Sequence, residues 1–172
     1  MHWRVRRIGS GEGDRLRDIR LRALLDAPGA FASSFGTESG RPRAAWEEAA
    51  EARSTGVGAA TFVAEVGQEW VGLIGAFRMP ECREIVELVS MWVAPEFRRR
   101  GVAQRLIEEV VVWARATGAH AVGLWAAAGN DAAIAVYERV GFVPTGEHQP
   151  LPSDPGRDEL RMTLALEECD GG

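Results

Sequence analysis

Hydrophobic and polar residues follow two different periods in the first third of the chain. Apolar and charged residues alternate over residues 3–8 and predict a short strand. Apolar residues recur at helical spacing over 14–25 and predict an amphipathic helix. Residues 30–42 have neither period and predict a loop. Pro42 can open a second helix, which we expect over 43–53.

The centre of the chain is rich in strands. Residues 61–66 and 70–77 are apolar, and the Gly-Gln-Glu between them predicts a hairpin. Residues 84–93 have few polar positions, which is typical of a central strand covered on both faces. Pro95 ends that strand.

Helices and strands alternate after Pro95. The predicted elements are a helix from 102 up to 118, a strand over 121–129, a helix over 131–140, and strands over 142–148 and 159–166 on either side of a Pro-rich loop. Asn130 or Asp131 can cap the second of these helices. Gly141 can end it in a left-handed conformation.

This order of elements indicates an α/β (α+β) fold. A strand–helix–strand unit implies a parallel pair with a right-handed crossover, whereas hairpins imply antiparallel neighbours. We therefore expect one domain over 1–172 with a mixed central sheet of about seven strands and helices on both faces. Within it, residues 1–60 provide a strand and two helices, and residues 61–172 form the rest of the sheet.

Composition narrows the class of protein. The 172 residues carry a net charge of −5, which argues against a protein that mainly binds nucleic acid. No stretch reaches the roughly 20 apolar residues of a membrane helix, and the N-terminus does not resemble a signal peptide. We expect a cytoplasmic protein in which Cys82 and Cys169 are reduced thiols, without a metal site.

Three consecutive arginines follow the long central strand, and they could be a nucleic-acid patch, a solvated charge run or the rim of a phosphate site. Arg98, Arg99 and Arg100 precede Gly101 and Ala103 at the predicted start of a helix. Glycine lets a ligand approach the backbone, and the first N–H groups of a helix have no internal partner. The helix dipole adds positive potential there. These features favour a site for phosphate or pyrophosphate.

Two motifs carry a resemblance to a known family. The R-x-x-G-x-A of residues 98–103 resembles the acetyl-CoA signature of the GCN5-related N-acetyltransferases, the GNAT family. Residues 130–142 resemble the second signature of the family, N-x-x-A-x-x-x-Y-x-x-x-G-F. The likeness extends from about residue 61 to the C-terminus, and residues 1–60 fit only in outline.

The resemblance implies the GNAT fold and a binding site for acetyl-CoA. In that fold the fourth and fifth strands are parallel and splay apart, so the pantetheine arm enters between them and the pyrophosphate binds main-chain N–H groups. Asn130 is expected to contact the pantetheine amides. The cofactor-binding residues implied here are Met91, Trp92, Val93, Arg98, Arg99, Arg100, Gly101, Val102, Ala103, Gln104, Asn130, Ala133 and Tyr137.

The resemblance also suggests catalytic residues. Glu87 is the candidate general base, because apolar neighbours would raise its pKa. A water chain could replace it, Glu84 is the reserve, and Glu87 could simply face solvent. Tyr137 is the candidate general acid for the leaving thiolate, although an aromatic at this helical spacing is also a usual core residue.

The resemblance therefore predicts an acetyl-CoA-dependent N-acetyltransferase that acts by direct transfer, without a metal, on a primary amine of a small molecule or peptide. A non-catalytic acyl-CoA sensor or interaction module is the alternative.

Many relatives are homodimers, and residues 159–166 could form such a contact. The acceptor site would be built by residues 1–60 and the Pro-rich loop. Its candidate residues are Phe31, Phe35 and Trp46 as walls, and Glu38 or Glu47 to attract a cationic amine.

Overall fold

A computed structural model describes residues 2–167 and contains a seven-stranded sheet with five α-helices around it. The strands are β1 (Arg4–Arg7), β2 (Ala59–Val66), β3 (Glu69–Met79), β4 (Cys82–Val93), β5 (Ala121–Ala127), β6 (Val143–Leu151) and β7 (Asp154–Ala165). The helices are α1 (Gly13–Asp26), α2 (Phe35–Ser39), α3 (Arg43–Ser54), α4 (Val102–Ala116) and α5 (Asp131–Val140).

The sheet has the order β1-β2-β3-β4-β5-β7-β6. In the described part of the chain β4 and β5 are the parallel pair, and the other neighbours are antiparallel. This confirms the mixed sheet expected from the strand–helix–strand unit and the hairpins. The strand β7 is paired with β5 on one side and with β6 on the other, so residues 159–166 have no free strand edge for pairing with a second copy of the chain. A homodimer stays a prediction.

Helices pack on both faces of the sheet. A side chain at Gly72 of β3 would meet Leu106 and Val102 of α4 at 3.2 and 3.4 Å, so α4 lies against that face. Its apolar positions, which predicted the helix, are buried there. On the other face α1 and α3 cover β2 and β3, and Trp46 of α3 is 1% exposed. The core therefore lies on both sides of β2 and β3.

Two predicted loops contain regular structure. Residues 30–42 include α2, whose start is capped by Ser34, where Oγ accepts a hydrogen bond from the Thr37 N–H at 3.2 Å. A helix this short has no amphipathic period, so the sequence pattern does not predict it. The Pro-rich loop over 149–157 is largely part of the β6–β7 hairpin, whose turn is at Pro152 and Ser153. Prolines are compatible with β6 because it is an edge strand.

The expectation that β4 is covered on both faces is wrong. Val86 and Leu88 are buried, but Val89 is 39% exposed and Glu84 is exposed. The helices α1 and α3 pack mainly on β2 and β3, so the face of β4 on the side of these helices remains partly open to solvent.

Cys82 is an exposed free thiol, and Cys169 lies outside the described residues. No helix within residues 2–167 is long and apolar enough to cross a membrane.

Candidate acyl-donor cleft and acceptor cavity

A cleft opens between β4 and β5 because their pairing stops early. The paired positions are Ile85–Ala121, Val86–Val122 and Glu87–Gly123. Beyond them β4 stays with β3 as far as Val93, whereas β5 follows β7. The resulting cavity has a volume of about 750 Å³. Main-chain groups along its walls are thus available to an extended ligand.

A bulge in β4 accompanies the divergence of the two strands. Ser90 has a φ of 59°, in the left-handed region, and the register with β3 shifts between Leu73 and Gly75. An extra residue in one strand bends that strand and increases its twist. A non-glycine residue in this conformation is strained, and such strain is concentrated at functional sites. The bulge lies where the cleft meets a second cavity, described below.

The loop before α4 presents a row of main-chain donors at the end of the cleft. Arg99 and Gly101 have φ values of 60° and 80°. The N–H groups of residues 99–104 have no hydrogen-bond acceptor within residues 2–167, and the helix dipole adds positive potential. This arrangement can bind a pyrophosphate group.

The side chain of Arg98 holds the loop in place. Its Nε donates to the carbonyl oxygen of Val93 at 2.9 Å, and its guanidinium group is paired with Asp26 at the end of α1. Asp26 also accepts a hydrogen bond from Trp92 Nε1 at 2.9 Å. These two donors hold the pKa of Asp26 below its ordinary value, Trp92 contributing most. The sequence offered no signal for Asp26, because its partners are 66 and 72 residues away.

The structure brings the sequence-predicted cofactor residues together, except one. The residues that line the cleft are Met91, Trp92, Val93, Arg98, Arg99, Gly101, Val102, Ala103, Gln104, Asn130, Ala133 and Tyr137. Arg100 is not part of the lining, and its guanidinium carbon lies 5.7 Å from the Phe97 ring centre. Asn130 caps α5, with Oδ1 accepting from the Ala133 N–H at 3.4 Å.

Tyr137 combines burial with access to the cleft. The residue is 7% exposed, and its ring packs edge-to-face on Phe142 with centroids 5.9 Å apart. Burial raises the pKa of the phenol well above its ordinary value of 10.0. The hydroxyl has no hydrogen-bond partner within residues 2–167, so its proton is available to a ligand in the cleft.

The carboxylate of Glu87 is engaged by a residue that sequence reasoning missed. Arg161 of β7 reaches across β5 and donates two hydrogen bonds to it, at 2.6 and 2.7 Å. The guanidinium group occupies the space over Gly123, where a Cβ would lie 2.3 Å from Arg161 Nη2. Glu87 lines neither cavity described here. Glu84, the reserve candidate, is exposed at the other end of the strand.

A second cavity of about 200 Å³ adjoins the cleft at the β4 bulge. Both cavities are lined by Val89 and Ser90. The other walls come from α1, α3, β2, β3 and the segment around α2. This is the part of the molecule from which an acceptor site was expected.

Only two of the five expected acceptor-site residues line the second cavity. Trp46 lines the second cavity, but Phe31 is buried and Phe35 is exposed, and neither is part of the lining. Glu38 lines it, yet Arg20 binds its carboxylate at 3.0 Å. Glu47 packs against Gly13 instead. Three arginines also line the second cavity, namely Arg20, Arg41 and Arg53. Within residues 2–167 no cluster of three or more His, Cys, Asp or Glu side chains is arranged to hold a metal ion.

These features are typical of proteins that bind an extended, phosphate-bearing ligand between two splayed parallel strands. Residues 22–142, more than half of the chain, match the acetyltransferase (GNAT) family. The chain belongs to this family. An uncharacterized N-acetyltransferase of Methanocaldococcus jannaschii is 35% identical over 85 residues, which are 47% of this chain and 38% of that protein. The chain thus spans less than half the length of this curated relative.

Solved structures share the fold. A GNAT-family acetyltransferase from Streptococcus pneumoniae superposes with a TM-score of 0.83 at 20% identity, over 96% of this chain and all of that one. The putative acetyltransferase yncA from Salmonella typhimurium, solved with its cofactor acetyl-CoA, has a TM-score of 0.79 at 20% identity, over 100% of this chain and 98% of that one. The expectation of the GNAT fold is therefore confirmed.

Proposed function

We propose that the protein is an N-acetyltransferase that uses acetyl-CoA and transfers the acetyl group directly to a primary amine. The observation that carries this proposal is the junction of the two cavities at Val89 and Ser90. One cavity offers main-chain donors for a pyrophosphate and an extended wall for pantetheine, and the other is bordered by α1, α3, β2 and β3. A thioester at the junction can be attacked by an amine from the second cavity.

The proposed reaction forms one bond and breaks one. The amine nitrogen attacks the thioester carbonyl carbon, a C–N bond forms, and the C–S bond breaks. Tyr137 gives its proton to the departing thiolate, and the proton lost by the amine passes to a base. A tyrosine is protonated at neutral pH with or without burial, so the support for this role is the position of Tyr137 on the wall of the cleft.

Glu87 is the proposed base, and Arg161 restricts how it can act. Glu87 lines neither cavity and two N–H groups hold its carboxylate, so it accepts the proton of the amine only through water or after the pair opens toward the cleft. A positioning role for the pair is the alternative, and two variants separate these roles. If Glu87 is the base, Glu87→Gln lowers kcat and Arg161→Met frees the carboxylate, which shifts the pH profile. If the pair only positions β4 and β7, both variants lower kcat equally without such a shift.

A thiol-release assay tests the function directly. Wild-type protein and acetyl-CoA are mixed with amino acids, polyamines, aminoglycosides and peptides, and free thiol is measured with calorimetric binding of acetyl-CoA in parallel. We expect amine-dependent release, and a kcat lower by about 10²-fold in Tyr137→Phe with unchanged acetyl-CoA affinity. Undiminished turnover in Tyr137→Phe would remove the acid assignment. Acetyl-CoA binding without release on any amine would favour the non-catalytic sensor, and absence of binding would refute the proposal.

A further inference from the structure

The smaller cavity is strongly positive, which bears on the acceptor within the function proposed above. Three guanidinium groups line it, from Arg20, Arg41 and Arg53, and Glu38 is the one carboxylate in that lining. The protein as a whole carries a net charge of −5, so the charge of this arginine cluster is opposite in sign to that of the whole protein. A concave site lined by one sign of charge selects ligands of the other sign.

Glu38 compensates only one of the three arginines. Its carboxylate accepts hydrogen bonds from Arg20 Nε at 3.3 Å and from Nη2 at 3.0 Å. The remaining nitrogen, Arg20 Nη1, is buried without a partner within residues 2–167. Trp46 Nε1 is likewise buried and unpaired within that range. Both residues belong to the cavity wall, although these two nitrogens are covered by protein atoms.

Arg41 and Arg53 have no ion pair with any described residue. The guanidinium carbon of Arg41 lies 4.5 Å from the centre of the Trp46 ring. Burial, and then the positive charges of Arg41 and Arg20, lower the pKa of Arg53, with Glu38 opposing the effect. A partly buried cation without a counter-ion is unfavourable for the folded state. A bound anion would remove that cost.

We propose that the acceptor is a primary amine that also carries an anionic group, of which the carboxylate of an amino acid is the first choice. Arg53 and Arg41 bind the anion, and the amine lies toward Ser90, where the two cavities meet. The planar guanidinium group matches a carboxylate with two parallel hydrogen bonds. The volume of about 200 Å³ suits a molecule of amino-acid size. A polyamine would place further positive charge beside the arginines, contrary to the expectation that an acidic residue attracts a cationic acceptor.

Matched acceptors test the proposal on the unmodified protein. Alanine, methionine and phenylalanine are each compared with their primary amides in the thiol-release assay, and spermidine is included as a cationic amine. We expect kcat/KM at least tenfold higher for an acid than for its amide, and spermidine to be poorer than either. The aminophosphonate analogue of alanine separates a carboxylate preference from a general preference for anions.

Arginine variants assign the effect to the cavity. Arg53→Met and Arg41→Met should each raise KM for the preferred acid about tenfold or more, with a small change in kcat and no change for the amide. The matched control is Arg43→Met at the start of α3, because Arg43 is exposed, pairs with Asp14 and does not line the cavity. Thermal unfolding of each variant accompanies the kinetics, and Arg53→Met should be at least as stable as the wild type.

The outcomes distinguish this inference from the proposed function. Preference for amides or spermidine, or an unchanged KM for acids in both arginine variants, overturns the anionic acceptor while acetyltransferase activity stands. Failure to bind acetyl-CoA and to acetylate any amine overturns both. Selective loss of activity on acids in the two cavity variants, with Arg43→Met unchanged, supports both.

Discussion

At the residue scale, Tyr137 is the group whose chemistry is changed most by its surroundings. It is the single tyrosine of the chain, lies against Phe142, and lines the cleft between β4 and β5. Burial raises its pKa because the charged phenolate would lose its hydration. The phenol is therefore a weaker acid than a free tyrosine, yet it retains its proton at any pH at which the enzyme would work.

A single tyrosine makes this pKa measurable by ultraviolet absorbance. We expect no tyrosinate signal in the folded protein at pH 10.0, where a free tyrosine is half ionised. The unfolded chain releases this proton near pH 10, so the free energy of unfolding should fall as pH rises above 10. Tyr137→Phe should lack the tyrosinate signal and should lose less unfolding free energy than the wild type as pH rises above 10. A titration centred near pH 10 in folded protein would show that the phenol is not desolvated.

Sequence reasoning identified the residues of the cleft better than the residues that hold them. Arg98, Gly101 and Tyr137 lie in short motifs whose members are neighbours in the chain. Arg161 and Asp26 lie 74 and 66 residues from the partners they bind, and single-sequence periodicity carries no information on such pairs. The same limit applies to the arginines of the smaller cavity. Glu38 was predicted to attract a cation because the sequence does not reveal its pairing with Arg20.

At the element scale, α4 is the element that joins the ligand-binding loop to the core. Its apolar positions are buried against the sheet, whereas its first turn and the preceding loop carry the unpaired N–H groups. Long amphipathic helices such as this one were predictable because their period is regular. The β6–β7 strand pair was predicted, but its extension through the Pro-rich residues 149–157 was missed, as was the short α2, which has no period.

Alanine substitutions of two glycines, one at each end of α4, distinguish the effect of backbone strain from an effect on ligand binding. Gly101 and Gly118 have φ values of 80° and 81°, and a Cβ at either position meets no atom within 4 Å. Alanine at either site should therefore cost about 1–2 kcal/mol of unfolding free energy through strain alone. Only Gly101→Ala should also weaken acetyl-CoA binding, because it alters the loop that presents the N–H donors. Chemical denaturation and calorimetric titration measure the two effects, and equal loss of binding in both variants would contradict the assignment.

At the scale of the whole molecule, the first 60 residues and the remainder share one sheet and are joined beside the cleft by the polar contacts of Asp26. β1 extends the sheet through β2, and α1 carries Asp26 to Trp92 and Arg98. The smaller cavity, the proposed acceptor site, is lined by residues of α1 and α3, and the cleft begins at the loop that Arg98 braces. Asp26 thus connects the helices of the proposed acceptor site with the loop of the proposed cofactor site.

Asp26→Asn tests whether this contact couples the two sites. The amide can still accept from Trp92 Nε1 but loses the charge that pairs with Arg98, so stability should fall by about 1 kcal/mol and acetyl-CoA should bind several-fold more weakly. Asp14→Asn on the same helix is the control, because both side chains of the Asp14–Arg43 pair are exposed and the pair should contribute little.

In the wild type, the contact of Asp26 with Trp92 and Arg98 should also survive acidification to pH 3.8, since these donors hold the pKa of Asp26 below that value. Its contribution to stability should be lost as pH falls further. Equal acetyl-CoA affinities in Asp26→Asn and Asp14→Asn would mean that α1 lines the smaller cavity without influencing the proposed cofactor loop.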